Sequence, residues 1–212
     1  CCQMVQMERR LQSLPSYVPK EPNALPFFLE KKPYQGATGK VYPLPYVDQL
    51  SNERVDKAYD MVTMTNEYIQ VRLLPELGGK IHGARQLSNG YEFIYENTCI
   101  KPAMVGLAGP WVSGGVEFNW PQHHRPTTFS PTEATLQENS DGSKTCWMGE
   151  AEPFHRMRGA VGITVYPGSS LVEAKCVLCN RTDTPLPFMW WNNLAVRVHK
   201  DYKATFPPDV EW

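Results

Sequence analysis

Tyr68-Ile-Gln-Val-Arg-Leu-Leu-Pro-Glu-Leu-Gly-Gly-Lys-Ile-His-Gly-Ala-Arg-Gln-Leu-Ser-Asn-Gly-Tyr-Glu-Phe-Ile-Tyr95 is the stretch that decides the fold. Ile69, Val71 and Leu73 alternate to one face over Tyr68–Leu74, the period of a half-buried strand. Pro75-Glu76-Leu77-Gly78-Gly79 breaks that run, and Lys80–Leu87 resumes it. Asn89-Gly90 between two alternating runs is the strongest short-range hairpin signal, and Tyr91–Tyr95 is the return strand. Upstream, Tyr59–Thr65 pairs in the same way through a turn at Asn66-Glu67.

Downstream the pattern repeats. Asp141-Gly142 joins Glu133–Gln137 to Lys144–Met148, and Pro167-Gly168 joins Ala160–Tyr166 to Leu171–Cys179. Val172, Ala174, Cys176 and Leu178 share one face of the last of these. Asn180–Pro185 is a further turn, and Leu186–His199 reads as a final long strand. Short strands, turn chemistry between them and no sustained helical period predict an all-β antiparallel fold. Residues 1–13 read as a short amphipathic helix or a tail. Residues 1–50 form a proline-rich arm whose aromatics (Tyr17, Phe27, Phe28, Tyr34, Tyr42, Tyr46) predict that it packs on the domain at 51–212.

The totals narrow the function. With 212 residues the chain fits one large β domain, and a net charge of −1 gives no basic surface for nucleic acid. No apolar run reaches the roughly 20 residues of a membrane span. Cys176 and Cys179 form a CxxC, but three residues apart on a strand they point to opposite faces, and no second pair completes a metal set. Free buried thiols are the better reading, and scattered free cysteines point to a reducing compartment, the cytoplasm. Neither a metal nor a cofactor is called for.

Chemistry concentrates in Gly109-Pro-Trp-Val-Ser-Gly-Gly-Val-Glu-Phe-Asn-Trp-Pro-Gln-His-His-Arg-Pro126. Apolar walls with a few directed polar groups are what a small-molecule site needs. Sugars fit such a mixture, stacking C–H faces on indoles while hydroxyls meet Asn, Glu, Arg and His. Glu117 lies opposite in phase to Val116 and Phe118, so it shares a non-core face with Asn119. Glu117, His123 and His124 are the catalytic candidates; adjacent histidines on extended chain diverge, so one of the two faces the site. Asn119, Trp111, Trp120 and Arg125 are binding candidates, with core packing the standing alternative for both tryptophans. On the last strand, Phe188, Trp190, Leu194, Val196 and Val198 make a core face interrupted by Asn192. Met189, Trp191, Asn193, Arg197 and His199 make the other, too aromatic for solvent and too polar for a core. Trp191, Asn193, Arg197 and His199 therefore join the binding set. His82 reads as a satisfied core or edge histidine, and His155 as part of a basic patch with Arg156 and Arg158.

Three segments resemble the galactose-mutarotase-like superfamily. Val71–Ala84 followed by Asn89–Tyr95 is similar to the strand pair that opens aldose epimerase domains. Val112–His124 resembles the Gly-Gly-Ile-Pro-x-x-Trp-Pro element of hexose-6-phosphate epimerases. Leu171–Asn180 with Pro187–Asn193 resembles the strand–turn–strand that carries a catalytic histidine there. The bacterial mutarotase-like domains often followed by tetratricopeptide repeats match best, through Tyr34–Pro43, the Leu-Pro-Glu-Leu-Gly-Gly-Lys-Ile run and Gly109–His124. The resemblance covers roughly residues 25–210. It implies an antiparallel β-supersandwich, of which this chain is the N-terminal two-thirds, with a sugar site on the concave face of one sheet.

Two departures bear on chemistry. Ser113 stands where the phosphosugar epimerases place a phosphate-holding arginine, which implies a non-phosphorylated substrate. No histidine stands near Trp191–Asn193, where the family's late-strand histidine falls, and its general-base glutamate is expected beyond residue 212. Mutarotation needs both an acid and a base. Two classes follow: a carbohydrate-active enzyme (epimerase or glycosidase, with Glu150 or Glu152 as a possible second carboxylate to Glu117), or a non-catalytic sugar-binding module. The expected ligand is a mono- or oligosaccharide, and an open sheet edge beside Leu186–His199 makes a homo-oligomer an expected partner state.

Overall fold

The computed structural model describes residues 4–24, 27–28, 41–42, 46–106, 109–121, 124–125, 127–152 and 156–210. Two antiparallel sheets dominate. The larger has seven strands among the described residues: β1 (Gln6–Ser16), β4 (Val55–Thr65), β5 (Ile69–Leu74), β6 (Lys80–Gln86), β10 (Val116–Asn119) and β15 (Trp191–Leu194) in that order, with β7 (Glu92–Ile94) also beside β6. The smaller runs β11 (Glu133–Glu138), β12 (Lys144–Ala151), β13 (Met157–Val165), β14 (Val172–Asn180). Two short ribbons accompany them, β2 (Phe27–Phe28) with β3 (Val41–Tyr42) and β8 (Ala103–Gly106) with β9 (Gly109–Trp111). No helix occurs among the described residues, and none is therefore long and apolar enough to cross a membrane, which leaves β-barrel spanning untouched.

The sheets pack face to face as a β-sandwich. One cluster of buried residues draws Val62, Val71, Ile81 and Phe118 from the large sheet and Cys146, Met148, Val161 and Ile163 from the small one. Alternation decides which residues enter it: Val62 pairs with Leu73, Leu73 with Ile81, and Ile81 with Val116, so all four project to one side. The other side of the large sheet is also covered. There Tyr59, Met61 and Leu74 pack with Leu77, Ile100 and Val112 in a second cluster. A bulge at His82, where Arg72 pairs with Gly83 but Leu73 with Ile81, shifts the register of β6.

The hairpins follow the turn chemistry, with strand ends within a few residues of expectation. Two readings are corrected. Residues 6–16 are not helical: they pair with β4 from Gln6↔Thr65 to Ser16↔Val55, a long-range partner that overrides local helical propensity. The final strand is confined to Trp191–Leu194. Pro185 and Pro187 lack the N–H a ladder needs, and among the described residues β15 pairs with β10 alone. Of the N-terminal arm, Lys20 and Asn23 bond back to Gln49 and Tyr46, and Lys101 lies 4.6 Å over the Tyr17 ring. Its aromatics at 34 and the side chains at 27, 28 and 42 lie outside the described residues.

Candidate functional site

The site begins with the turn between β9 and β10. Gly114 and Gly115 both have positive φ, and a side chain on Gly115 would collide with the Ile81 carbonyl. Lys80 Nζ reaches the carbonyls of Val112 (3.0 Å) and Ser113 (3.5 Å), while Asn97 Nδ2 donates to Ser113 O at 2.8 Å and Oγ at 2.9 Å. Burial pulls the Lys80 amine down to about 8, against the attraction of Glu117. Clamped from both sides, the turn delivers Trp111 and Glu117 to one place.

β10 then pairs with β15 in a register that sets Glu117 opposite Asn193 and Asn119 opposite Trp191. Directly paired residues share a face. Val116 and Phe118 enter the sandwich core, so Glu117 and Asn119 point away from it, as the alternation predicted.

Glu117 is 6% exposed and is surrounded by donors. Trp111 Nε1 donates to Oε2 at 3.1 Å, Thr128 Oγ1 to Oε1 at 2.6 Å, and Asn193 Nδ2 reaches Oε2 at 3.4 Å. His124 Nδ1 stands 3.0 Å from both carboxylate oxygens. Burial alone would raise the Glu117 pKa; the bonds from Thr128 and His124 outweigh it and hold the carboxyl below its ordinary range. An ionised Glu117 accepts only, so Nδ1 of His124 carries the proton shared with it. The imidazole is further fixed edge-on between two indoles, 6.0 Å from Trp111 and 4.9 Å from Trp191 between ring centres. A carboxylate that orients an imidazole is a recurrent arrangement in acid–base and binding sites. Glu117 is buried, Trp111, His124 and Trp191 are half-buried, and Asn193 is exposed.

Of the other sequence candidates, Asn119 and Arg125 are buried beneath this cluster, and the rest lie elsewhere in the fold. Trp120 is 1% exposed and stacks on Trp190 (5.7 Å, 16°), against the core and over Gly159. Arg125 lies across the opposite face of that packing, its guanidinium 4.2 Å over the Trp120 ring and 3.3 Å from Glu150, with a further bond to the Gly78 carbonyl. Asn119 is fully buried, and its Oδ1 accepts from the Arg125 backbone N–H at 2.7 Å. Glu150 is engaged by Arg125 and Thr127, and Glu152 is buried. Arg197 pairs with Glu92 at 3.2 Å and covers Tyr95, and His199 is on exposed chain beyond it. His82 is buried 3.5 Å from Glu96, which also pairs with Arg72. His123 and His155 lie outside the described residues.

Thr128 and Lys80 were missed by sequence reasoning. Strict alternation did carry a signal for Lys80, because it flanks Ile81 and so shares the outer face of β6. Thr128 gave none, since its contact with Glu117 joins residues 11 apart that no local pattern relates. A hollow of about 560 Å³ opens elsewhere, bordered by Met4–Met7, Thr65, Asn66 and Lys144, and none of the sequence candidates lines it.

A family model described as a domain of unknown function, DUF5107, matches residues 37–211, which include the whole Trp111–Thr128 region and β15. The chain belongs to the DUF5107 family. The crystal structure of a TPR-domain containing protein from Parabacteroides distasonis superposes with a TM-score of 0.80 at 25% identity, over 92% of this chain and 32% of that one. The chain thus spans about a third of that protein's length. The DUF5107 match runs from the proline-rich arm to the C-terminal tail, so both halves of the site, β9–β10 with its turn and β15, fall inside one family domain.

Proposed function

We propose that this DUF5107 domain binds a non-phosphorylated sugar or glycan at the Trp111–Glu117–His124–Trp191–Asn193 cluster, on a sandwich of the galactose-mutarotase-like type. The reading is carried by one observation: a buried Glu117 bonded to Trp111 and His124, with His124 edge-on to two indoles and exposed Asn193 beside the carboxylate. Indole faces suit the apolar side of a pyranose, and His124 and Asn193 suit its hydroxyls. Ser113 leaves the Gly-Gly turn without a cation on its own side chain, in keeping with an uncharged ligand.

The same pair supports a carbohydrate-active enzyme. Glu117 acts as a positioning residue, and His124 as the group that exchanges a proton with a substrate hydroxyl or ring oxygen. The alternative is a sugar-binding module, favoured by the engagement of Glu150 with Arg125, which removes it as a partner carboxylate. The thiols of Cys99, Cys146, Cys176 and Cys179 are free, in keeping with a cytoplasmic location.

A glycan array combined with a panel of chromogenic glycosides tests the proposal, using the parent chain, Glu117→Gln and His124→Ala. Binding and turnover in the parent, with turnover lost and binding kept in His124→Ala, support the enzyme. Binding without turnover, lost in both variants, supports the module. A parent chain that binds and cleaves no sugar refutes both.

A further inference from the structure

A second charge lies inside the fold next to Glu117. Lys80 is 5% exposed, and lysine is almost never so deeply buried without a partner. On one side it pairs with Leu74 of β5, on the face where Leu74, Leu77, Ile100 and Val112 form an apolar cluster. On the other, β10 pairs with β6 at Val116↔Ile81, so one step along the antiparallel ladder Glu117 comes opposite Lys80 and shares its face. The ammonium bonds the carbonyls of Val112 at 3.0 Å and Ser113 at 3.5 Å, the two residues that lead into Gly114 and Gly115. Glu117 attracts it through space.

Stability does not account for this charge. Burial lowers the amine to about 8, and Glu117 offsets only part of the shift. A lowered amine pKa means that the surroundings favour the neutral form, so the charge opposes folding. An apolar side chain of similar length would fill the space beside Leu74 without that penalty. What the charged amine alone supplies is three N–H donors at the mouth of the turn, in charge-assisted bonds to two carbonyls. The neutral amine has two donors and a lone pair. Trp111 and Glu117 stand on either side of this turn, and their 3.1 Å bond spans it.

We propose that Lys80 is a positioning residue for the Glu117–His124 site: its ammonium gathers the Val112 and Ser113 carbonyls and so holds Trp111 against Glu117, and the site is assembled only while that amine carries its proton. The titratable and charged groups facing it are Glu117 on β10 and His82 on β6, with His124 and Arg125 beside Glu117 in turn. Burial keeps His82 neutral above about pH 3. Sugar affinity therefore falls as pH rises through about 8. That consequence rests on the cluster being the sugar site; the assembly itself is measured without a ligand.

Fluorine NMR of fluorotryptophan-labelled protein tests the proposal, with the Trp111 resonance assigned through Trp111→Phe and followed from about pH 6 to about pH 10. The parent is expected to show a step at Trp111 centred near pH 8. Lys80→Arg, whose guanidinium stays charged throughout, is expected to lack that step, and Lys80→Met to hold the parent's alkaline position at every pH. A parent without the step overturns the proposal, and so does a step that persists in Lys80→Arg. Should neither Lys80 variant fold, the parent is compared with His124→Asn. A step that survives there supports Lys80 as its source, and one that vanishes with the imidazole overturns the proposal. Sugar titrations below and above the step separate the two readings. A step in a protein that binds no sugar upholds the role of Lys80 and removes the sugar reading. Sugar affinity that is equal on both sides of the step overturns the role of Lys80 and leaves the sugar reading standing.

Discussion

Strand β10 has two faces under equal burial. Val116 and Phe118 look into the sandwich, Glu117 and Asn119 look away, and all four are at most 6% exposed. On the first face every contact is apolar and the requirement is volume. On the second, each buried polar group needs a partner: Glu117 takes Trp111, Thr128, His124 and Asn193, Asn119 takes the Arg125 N–H, and Lys80 takes two carbonyls. Low exposure therefore does not mark a residue as core. What it is bonded to does, because an unpaired buried polar group costs about 1–3 kcal/mol.

The difference is sharpest at Trp120 on the core side. Truncation by Trp120→Ala removes the stack on Trp190 and the cover over Gly159, and should cost about 3–5 kcal/mol in urea unfolding. A loss below about 1 kcal/mol would show that this face is not a packed core.

On the polar face the largest effect should appear in acid. His82 is buried, and desolvation, then Arg72 and Lys80, push its pKa down to about 3. The unfolded chain therefore binds a proton that the folded chain refuses between about pH 6.5 and 3, so folding weakens as pH falls through that window. His82→Gln lacks this drop. Relative to the parent it should gain on the order of 4 kcal/mol on going from neutral pH to the lower end of the window. Glu117 adds a smaller drop at lower pH. Its pKa is depressed, so its contribution is full above the ordinary carboxylate value and disappears as pH falls through the folded value. Glu117→Gln should remove that last portion of the acid limb. Smallest of all, Lys57→Ala breaks a partly exposed pair with Glu76 (3.0 Å) and should change stability by less than about 1 kcal/mol.

Much of this was legible in the sequence where the determinants are local. Asn89-Gly90, Asp141-Gly142 and Pro167-Gly168 dictate hairpins by their own backbone preferences, and the phase of Glu117 against Val116 follows from a period of two. The faces of the last strand were readable only in part: Trp190 reaches the core at Phe118, and Trp191 and Asn193 meet the Glu117 cluster, but Phe188, Leu194 and Val198, expected on the core face, are exposed. What could not be read depends on distant partners. Residues 6–16 become a strand only because β4 offers an edge 39 to 59 residues away. Arg125 and Trp120 were candidates for sugar contact on residue type alone, and their cation–π packing against each other is a tertiary contact that residue type does not reveal.

Tryptophan fluorescence during sugar titration tests the central claim most directly, since Trp111 and Trp191 flank His124. With the sugar selected on the array, the parent should show a saturable change, and Glu117→Gln should need at least about tenfold more sugar, a loss of about 1.4 kcal/mol, while retaining the parent's far-ultraviolet dichroism. Equal affinity in the two proteins would contradict the account, as would a parent whose emission no sugar alters.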